Sequence, residues 1–353
     1  MAGYLSEASL TQGLAEAHEP PAPCLTATPS GFTLVARYLE APRMRCLAIT
    51  IFLLLGQLPA PVWAQWTEDA QKCAETPDPN LAFDLCTRAI QSGALSGSGL
   101  AVTFNNRGNA YQTKGDYQRA IQDYDEALRI DPDSALAFNN RGSAFQHMGN
   151  YDRAIQDYDY AIRLDPSSAL AYNNRGRANH LKEDYPQAIK DFGEAIELDP
   201  DYPLAFYNRG LARFDQGLFI AAVPDFVRAV QLDPAKPYRV LALYLAKARG
   251  GDPDKEMLAA NAKQLTLSQW PGPVVSLYLD QITPQAVIDA AKDPDPATQR
   301  ERLCEAYFYI GEYLLIASQK AEAARMFQAA VSTGVTSLFE YASAKAELRR
   351  LAQ

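Results

Sequence analysis

The sequence predicts an all-α solenoid built from helix–turn–helix repeats. The prediction rests on a 34-residue self-similarity through the middle of the chain, an Asp-Pro pair recurring at that period, and small and aromatic residues at helical spacing between them. The chain has 353 residues, 48% hydrophobic and 21% charged, enough to bury a substantial core. Its formal net charge of −9 disfavours nucleic acid as a ligand, because phosphate recognition needs a basic stripe.

Residues 1–43 include EPPAPCLTATPSG and show neither a helical nor a strand period. They read as a disordered extension, or as residues ahead of a misassigned translation start. Residues 44–64, MRCLAITIFLLLGQLPAPVWA, have a positive start, a short apolar run and small residues before Ala64. That is the layout of a secretory signal peptide. The apolar run is about ten residues, against the roughly 20 a spanning helix needs; the alternative is a buried or anchoring helix. Neither Cys46 nor Cys73 follows the small-residue box of a lipoprotein signal. The expectation is an exported chain with no stable membrane anchor, beginning near Gln65.

Residues 65–100 form the next expected unit, a helical hairpin cap around Pro77-Asp78-Pro79. Cys73 and Cys86 lie symmetrically about that turn, where antiparallel helices would bring them opposite each other. A disulfide is expected in an oxidising compartment; two buried thiols are the alternative. Cys304 is expected to be a packed thiol.

Residues 101–236 hold four repeats. Asn105-Asn106-Arg107-Gly108 returns as Asn139-Asn140-Arg141-Gly142, Asn173-Asn174-Arg175-Gly176 and Tyr207-Asn208-Arg209-Gly210. Asp131-Pro132, Asp165-Pro166, Asp199-Pro200 and Asp233-Pro234 keep the period and end each second helix, since proline disfavours helix in the residue before it. Gly108 and Ala120 are expected to face each other where the paired helices cross. Tyr124 and Ala127 share one helical face, and the positions recur at Tyr158, Phe192 and Phe226. These four consecutive units resemble the tetratricopeptide repeat (TPR) family. The resemblance implies a right-handed superhelix whose first helices line a concave groove.

The repeated Arg stands where such repeats usually carry an apolar residue. It is matched by a repeated Asp in the second helix, giving Arg107 with Asp123, Arg141 with Asp157, Arg175 with Asp191, and Arg209 with Asp225. In the C-terminal unit the matching residues are Ile310 and Met326, so both partners change together. Structural ion pairs within each unit are therefore expected.

Asn106, Asn140, Asn174 and Asn208 occupy the first-helix position that lines the groove in many TPR proteins, and Asn105, Asn139 and Asn173 would widen the strip. Side-chain amides donate and accept, so a row of them could bind an extended peptide backbone without reading its sequence. The alternative is that they bond neighbouring helices and set the repeat spacing. Arg177, His147 and His180 are expected to decorate the same surface.

Residues 237–303 read as an irregular helical segment broken by prolines, and 304–353 as a TPR-like unit followed by a capping helix. The segments Gln269-Trp270, Val275-Ser276-Leu277-Tyr278-Leu279, Ile282-Thr283-Pro284-Gln285 and Glu305 to Leu314 resemble the NlpI family of bacterial envelope lipoproteins. That resemblance implies a homodimeric adaptor in the periplasm of a Gram-negative bacterium, bringing cell-wall hydrolases to a protease. The chain departs from it in lacking the lipid-attachment Cys.

No metal-ligand cluster, phosphate-cradling glycine loop or nucleophile elbow is present in the sequence. The expected function is non-catalytic, without metal or cofactor: a scaffold that binds a protein or peptide in its groove. The alternative is a structural dimerisation module whose groove is not used.

Overall fold

The computed structural model describes residues 62–353, with side chains from Thr67 onward. The extension 1–43 and the leader Met44–Ala64 lie outside the described residues, apart from the backbone of 62–64. The described elements are helices, and none of them is long and apolar enough to cross a membrane. They fall into two compact units, divided after Pro132.

The first unit contains α1 (Val62–Glu75), α2 (Pro79–Gln91), α3 (Gly97–Thr113) and α4 (Tyr117–Ile130), each packed on the next. Pro79 opens α2 behind an Asp78 cap whose side chain accepts from the Asn80 N–H, an arrangement that satisfies an otherwise orphaned donor. Cys73 and Cys86 are joined by a disulfide across this hairpin, with Cα atoms 5.4 Å apart.

The second unit continues the repeats as α5 (Ala135–His147), α6 (Tyr151–Leu164), α7 (Ala169–Leu181), α8 (Tyr185–Leu198), α9 (Pro203–Asp215) and α10 (Phe219–Leu232). Then follow α11 (Pro237–Arg249), the short helices α12 (Lys255–Ala262), α13 (Gly272–Tyr278) and α14 (Pro284–Ala290), and α15 (Pro296–Ile316), α16 (Lys320–Ser332) and α17 (Phe339–Leu351). Successive helices from α6 to α11 pack in sequence order, as stacked helix pairs do. The largest core lies around α9–α11 and α13–α16, where Tyr244, Tyr278, Leu277, Ile310 and Phe327 are fully buried.

Two sequence expectations need correction. The repeat glycine faces the alanine, with Ala154 O 3.1 Å from a Cβ on Gly142 and Ala188 O 3.2 Å from one on Gly176, but it makes room above all for an aromatic ring that the expectation left out. A Cβ on Gly108 would stand 2.6 Å from the Tyr124 ring, and Gly142, Gly176, Gly210 and Gly311 meet Tyr158, Phe192, Phe226 and Phe327 in the same way. Pro296 does not break a helix but begins one. It follows the Asp295 cap, which accepts from the Thr298 N–H, and proline at the first helical turn costs no hydrogen bond. The helix pair of the C-terminal unit therefore starts at Pro296, ahead of the expected Cys304.

Candidate polypeptide-binding face

The repeated Arg and Asp form ion pairs across each helix pair. The guanidinium of Arg107 donates from Nε and Nη2 to the two Asp123 oxygens at 2.8 and 2.7 Å. Arg141–Asp157, Arg175–Asp191 and Arg209–Asp225 repeat this with closest approaches of 2.7 Å. The aspartates are buried and the arginines largely so, each guanidinium lying near the aromatic ring three residues earlier. The hydrogen bond to Asp123 raises the Arg107 pKa further. For Arg175, burial opposes the charge and is outweighed by Asp191 and Asp159. These pairs hold the two helices of a repeat together and leave little guanidinium free for a ligand.

The asparagines are placed differently from the groove expectation. Asn105, Asn139, Asn173 and Asn208 are buried, so they cannot line an open strip. Asn174 Nδ2 donates to Asn139 Oδ1 at 3.0 Å, and Asn208 Nδ2 to Asn173 Oδ1 at 2.9 Å. Each bond joins the first helix of one repeat to that of the next. The physical reason is close approach of neighbouring first helices, which leaves buried amides that must find partners. Asn106, Asn140 and Asn174 remain half-buried. More open than any of these are Val102, 54% exposed, and Leu136, 50% exposed. They share one position of the first helix, and Leu170 and Leu204 recur there at the same period.

The surface expected around Arg177 and His180 is covered. His180 is fully buried, its Nε2 2.6 Å from Oδ2 of Asp215 in the next repeat. Phe339, at the start of α17, lies 4.7 Å from the His180 ring by centroids, and its ring also receives the Arg177 guanidinium at 5.5 Å. Farther along α17, Lys345 and Arg349 bind the two Glu183 oxygens at 2.8 and 2.7 Å. Arg350 Nη2 donates to the carbonyls of Phe214 and Asp215 at 3.1 and 2.6 Å. Upstream of the helix, Tyr151 OH donates to the Thr336 carbonyl at 3.1 Å. The closing helix thus lies against the turn end of the first-helix row at α7 and α9.

Below this contact sits a buried charged network. Arg249 Nη1 reaches Glu312 at 2.6 Å and Glu347 at 3.1 Å, Arg350 also contacts Glu347, and both arginines lie over the Phe219 ring. Burial raises the Glu312 carboxyl above its ordinary value, against the pull of Arg249, and burial lowers Arg350. Burial also lowers His147 to about 3, with help from Arg177. It raises the Cys304 thiol to about 12, so Cys304 is a packed, protonated thiol.

Glu183 is the residue that sequence reasoning passed over. The turn between paired helices uses glycine at φ +78° in Gly115, +76° in Gly149 and +83° in Gly217. At the same place in the third repeat Glu183 holds φ 67°, a left-handed conformation unfavourable for a residue with a Cβ. The signal was present as a break in an otherwise periodic glycine.

Residues 108–149 and 176–217 match the family described as TPR repeat, and residues 135–168 match Tetratricopeptide repeat. Among solved structures, the chain is similar to the MamA protein at 25% identity over 46% of this chain and 91% of that one, with a TM-score of 0.42. It is similar to YrrB, described as a TPR protein with an unusual peptide-binding site, at 20% identity over 56% and 98%, with a TM-score of 0.42. A third is the second TPR domain of human RPAP3 in complex with an HSP70 peptide, at 36% identity over 32% and 94%, with a TM-score of 0.31.

Proposed function

Since the chain is a tetratricopeptide-repeat protein, we propose that it is a non-catalytic scaffold that binds polypeptide on the first-helix face of its repeats. One observation carries this reading: the first-helix row at its turn end, at α7 and α9, already holds a helical segment. It does so through an aromatic contact, two salt bridges and two bonds to backbone carbonyls. A surface that accommodates one helix in this way has the shape and chemistry to accommodate another.

In its finer form, the chain is exported to the periplasm by the leader Met44–Ala64 and acts there as an adaptor. It recruits envelope proteins, cell-wall hydrolases among them, to a protease. The resemblance of 269–285 and 305–314 to the NlpI family supports this form, and so does the Cys73–Cys86 disulfide, which suits an oxidising compartment. The test is photo-crosslinking in the native cell from Val102 and Leu136, with Gln122 and Gln156 on the second helices as controls. Partner adducts from the first-helix positions are expected. Adducts confined to the second-helix positions would overturn the assignment of the face, and adducts with no envelope protein would overturn the adaptor role.

A further inference from the structure

The contacts of α17 with α7 and α9 combine an aromatic ring with partly exposed cations. On its other side α17 buries Ala344 in the main core, with Tyr341, Leu348 and Leu351 packed against it. Toward the repeats it offers Phe339 and then three cations, Lys345, Arg349 and Arg350. The repeats answer with the His180 ring, the Glu183 carboxylate and two helix-end carbonyls. Lys345 is 42% exposed at its side chain and Arg349 47%. Such bridges are individually weak, about 0.2–1 kcal/mol each.

Glu183 is set apart from the matching turns by the two cations its carboxylate receives. Its counterparts in the other three repeats of residues 101–236 are glycines, which adopt the left-handed turn without steric cost, while Ser318 of the C-terminal unit holds φ 62° at the same place. A residue held in such a conformation costs on the order of 1 kcal/mol or more, and positions of this kind cluster at ligand clamps. The side chain that carries the cost here is the one that receives both cations.

We infer that the turn end of α7 and α9, centred on His180 and Glu183, is a docking surface for an amphipathic helix bearing an aromatic residue followed by basic residues one to three turns later, and that α17 is its built-in occupant, displaced when a partner protein presents such a helix. This rests on the scaffold reading above and gives that reading a ligand chemistry and a means of regulation. Charge complementarity selects the partner: an acidic or purely apolar helix would leave Glu183 and the two carbonyls without donors. Competition also sets a threshold. A partner must outbind an intramolecular segment at high effective concentration, so only a helix that matches both the aromatic and the basic positions opens the surface.

The experiment uses the full chain and, as probe, a labelled 18-residue peptide copying residues 336–353. Reversing Lys345 and Arg349 (K345E with R349E) weakens the occupant while leaving its seat unchanged. The peptide is expected to bind this variant about tenfold more tightly than the wild type, the effect of losing two such bridges. Adding Glu183→Gly should take that gain away, as should reversing the same two cations in the peptide. Equal peptide affinity for wild type and K345E/R349E overturns the proposal, as does a gain that survives Glu183→Gly. Should the double variant fail to fold, Glu183→Gly alone decides, because it restores the turn residue of the other repeats. Hydrogen exchange over 339–351 should then rise about tenfold with no fall in Tm, and unchanged exchange overturns the proposal. Failure of the peptide in every variant, with crosslinks still captured from Val102 or Leu136, removes this seat and leaves the scaffold reading standing. Peptide binding without such crosslinks does the reverse.

Discussion

His180 and Asp215 lie 35 residues apart in sequence and 2.6 Å apart in space, both sealed from water, one at the end of each of two neighbouring first helices. A buried polar pair is costly to break one-sidedly, because the remaining group keeps its burial and loses its partner. Asp215→Ala should destabilise the second unit by about 3–5 kcal/mol. Combining it with His180→Leu should recover part of that loss. Chemical denaturation of the two variants checks both outcomes.

The ion pair of each repeat makes a similar prediction with a built-in control. The C-terminal unit carries Ile310 and Met326 where the others carry Arg and Asp, and both side chains pack in the core. Replacing Arg107 alone with Ile, or Asp123 alone with Met, should cost about 3 kcal/mol or more. The double replacement should return to within about 1 kcal/mol of the wild type. Strong coupling in a double-mutant cycle is the expected result, and additive losses would show that the pair does not act as a unit.

Two helical glycines should respond to alanine with opposite signs. A Cβ on Gly210 would lie 2.6 Å from the Phe226 ring, so Gly210→Ala should cost about 1–3 kcal/mol through overpacking. On Gly193 the nearest atom would be Nη1 of Arg209 at 3.9 Å. Gly193→Ala should therefore stabilise by about 0.5–1 kcal/mol, through helix propensity alone. Thermal melts of the two variants decide it.

Stability should depend on pH through two opposed groups. Removal from water, and then the Glu305 carboxylate, raise Glu340 from 4.5 to about 8, against a hydrogen bond from Tyr309. Between those values the folded state keeps a proton that the unfolded state has lost, so this stabilisation is full below 4.5 and gone above about 8. Glu305 and Glu312, both raised by burial, add to the same falling limb. His147, lowered from 6.5 to about 3, works the other way, and its contribution is present above 6.5 and lost as pH falls toward 3. Glu340→Gln should flatten the decline between pH 6.5 and 8. His147→Gln should flatten the loss on the acid side. Tm measured across pH 3–8 reads both.

Periodicity made most of the stack readable before any coordinates. The Arg–Asp partners recur at a fixed offset, so one observation is made four times over; the ring that each repeat glycine meets was not read from the same pattern. The Asn row shows where that reasoning stops. Period identifies the helix and the side on which Asn173 and Asn208 sit, but not how closely the next first helix approaches, and that distance turns a surface amide into a buried bond. The seat of α17 was illegible for a different reason. Phe339 meets His180, and Arg350 meets Phe214, across more than 130 residues of sequence, at positions that do not repeat. The one local trace was a glycine missing from its place at Glu183.

The uniform spacing of the units also has a consequence for their copy number. Gain or loss of one 34-residue block between α7 and α11 would leave the repeated pair of each remaining block intact, since Arg175–Asp191 and Arg209–Asp225 each lie within one block. It would not leave the ends matched: Glu183 and the Phe214 carbonyl would no longer stand at the separation that Lys345 and Arg350 span on a single helix. The closing helix therefore acts as a gauge that fixes how many blocks this part of the chain can hold.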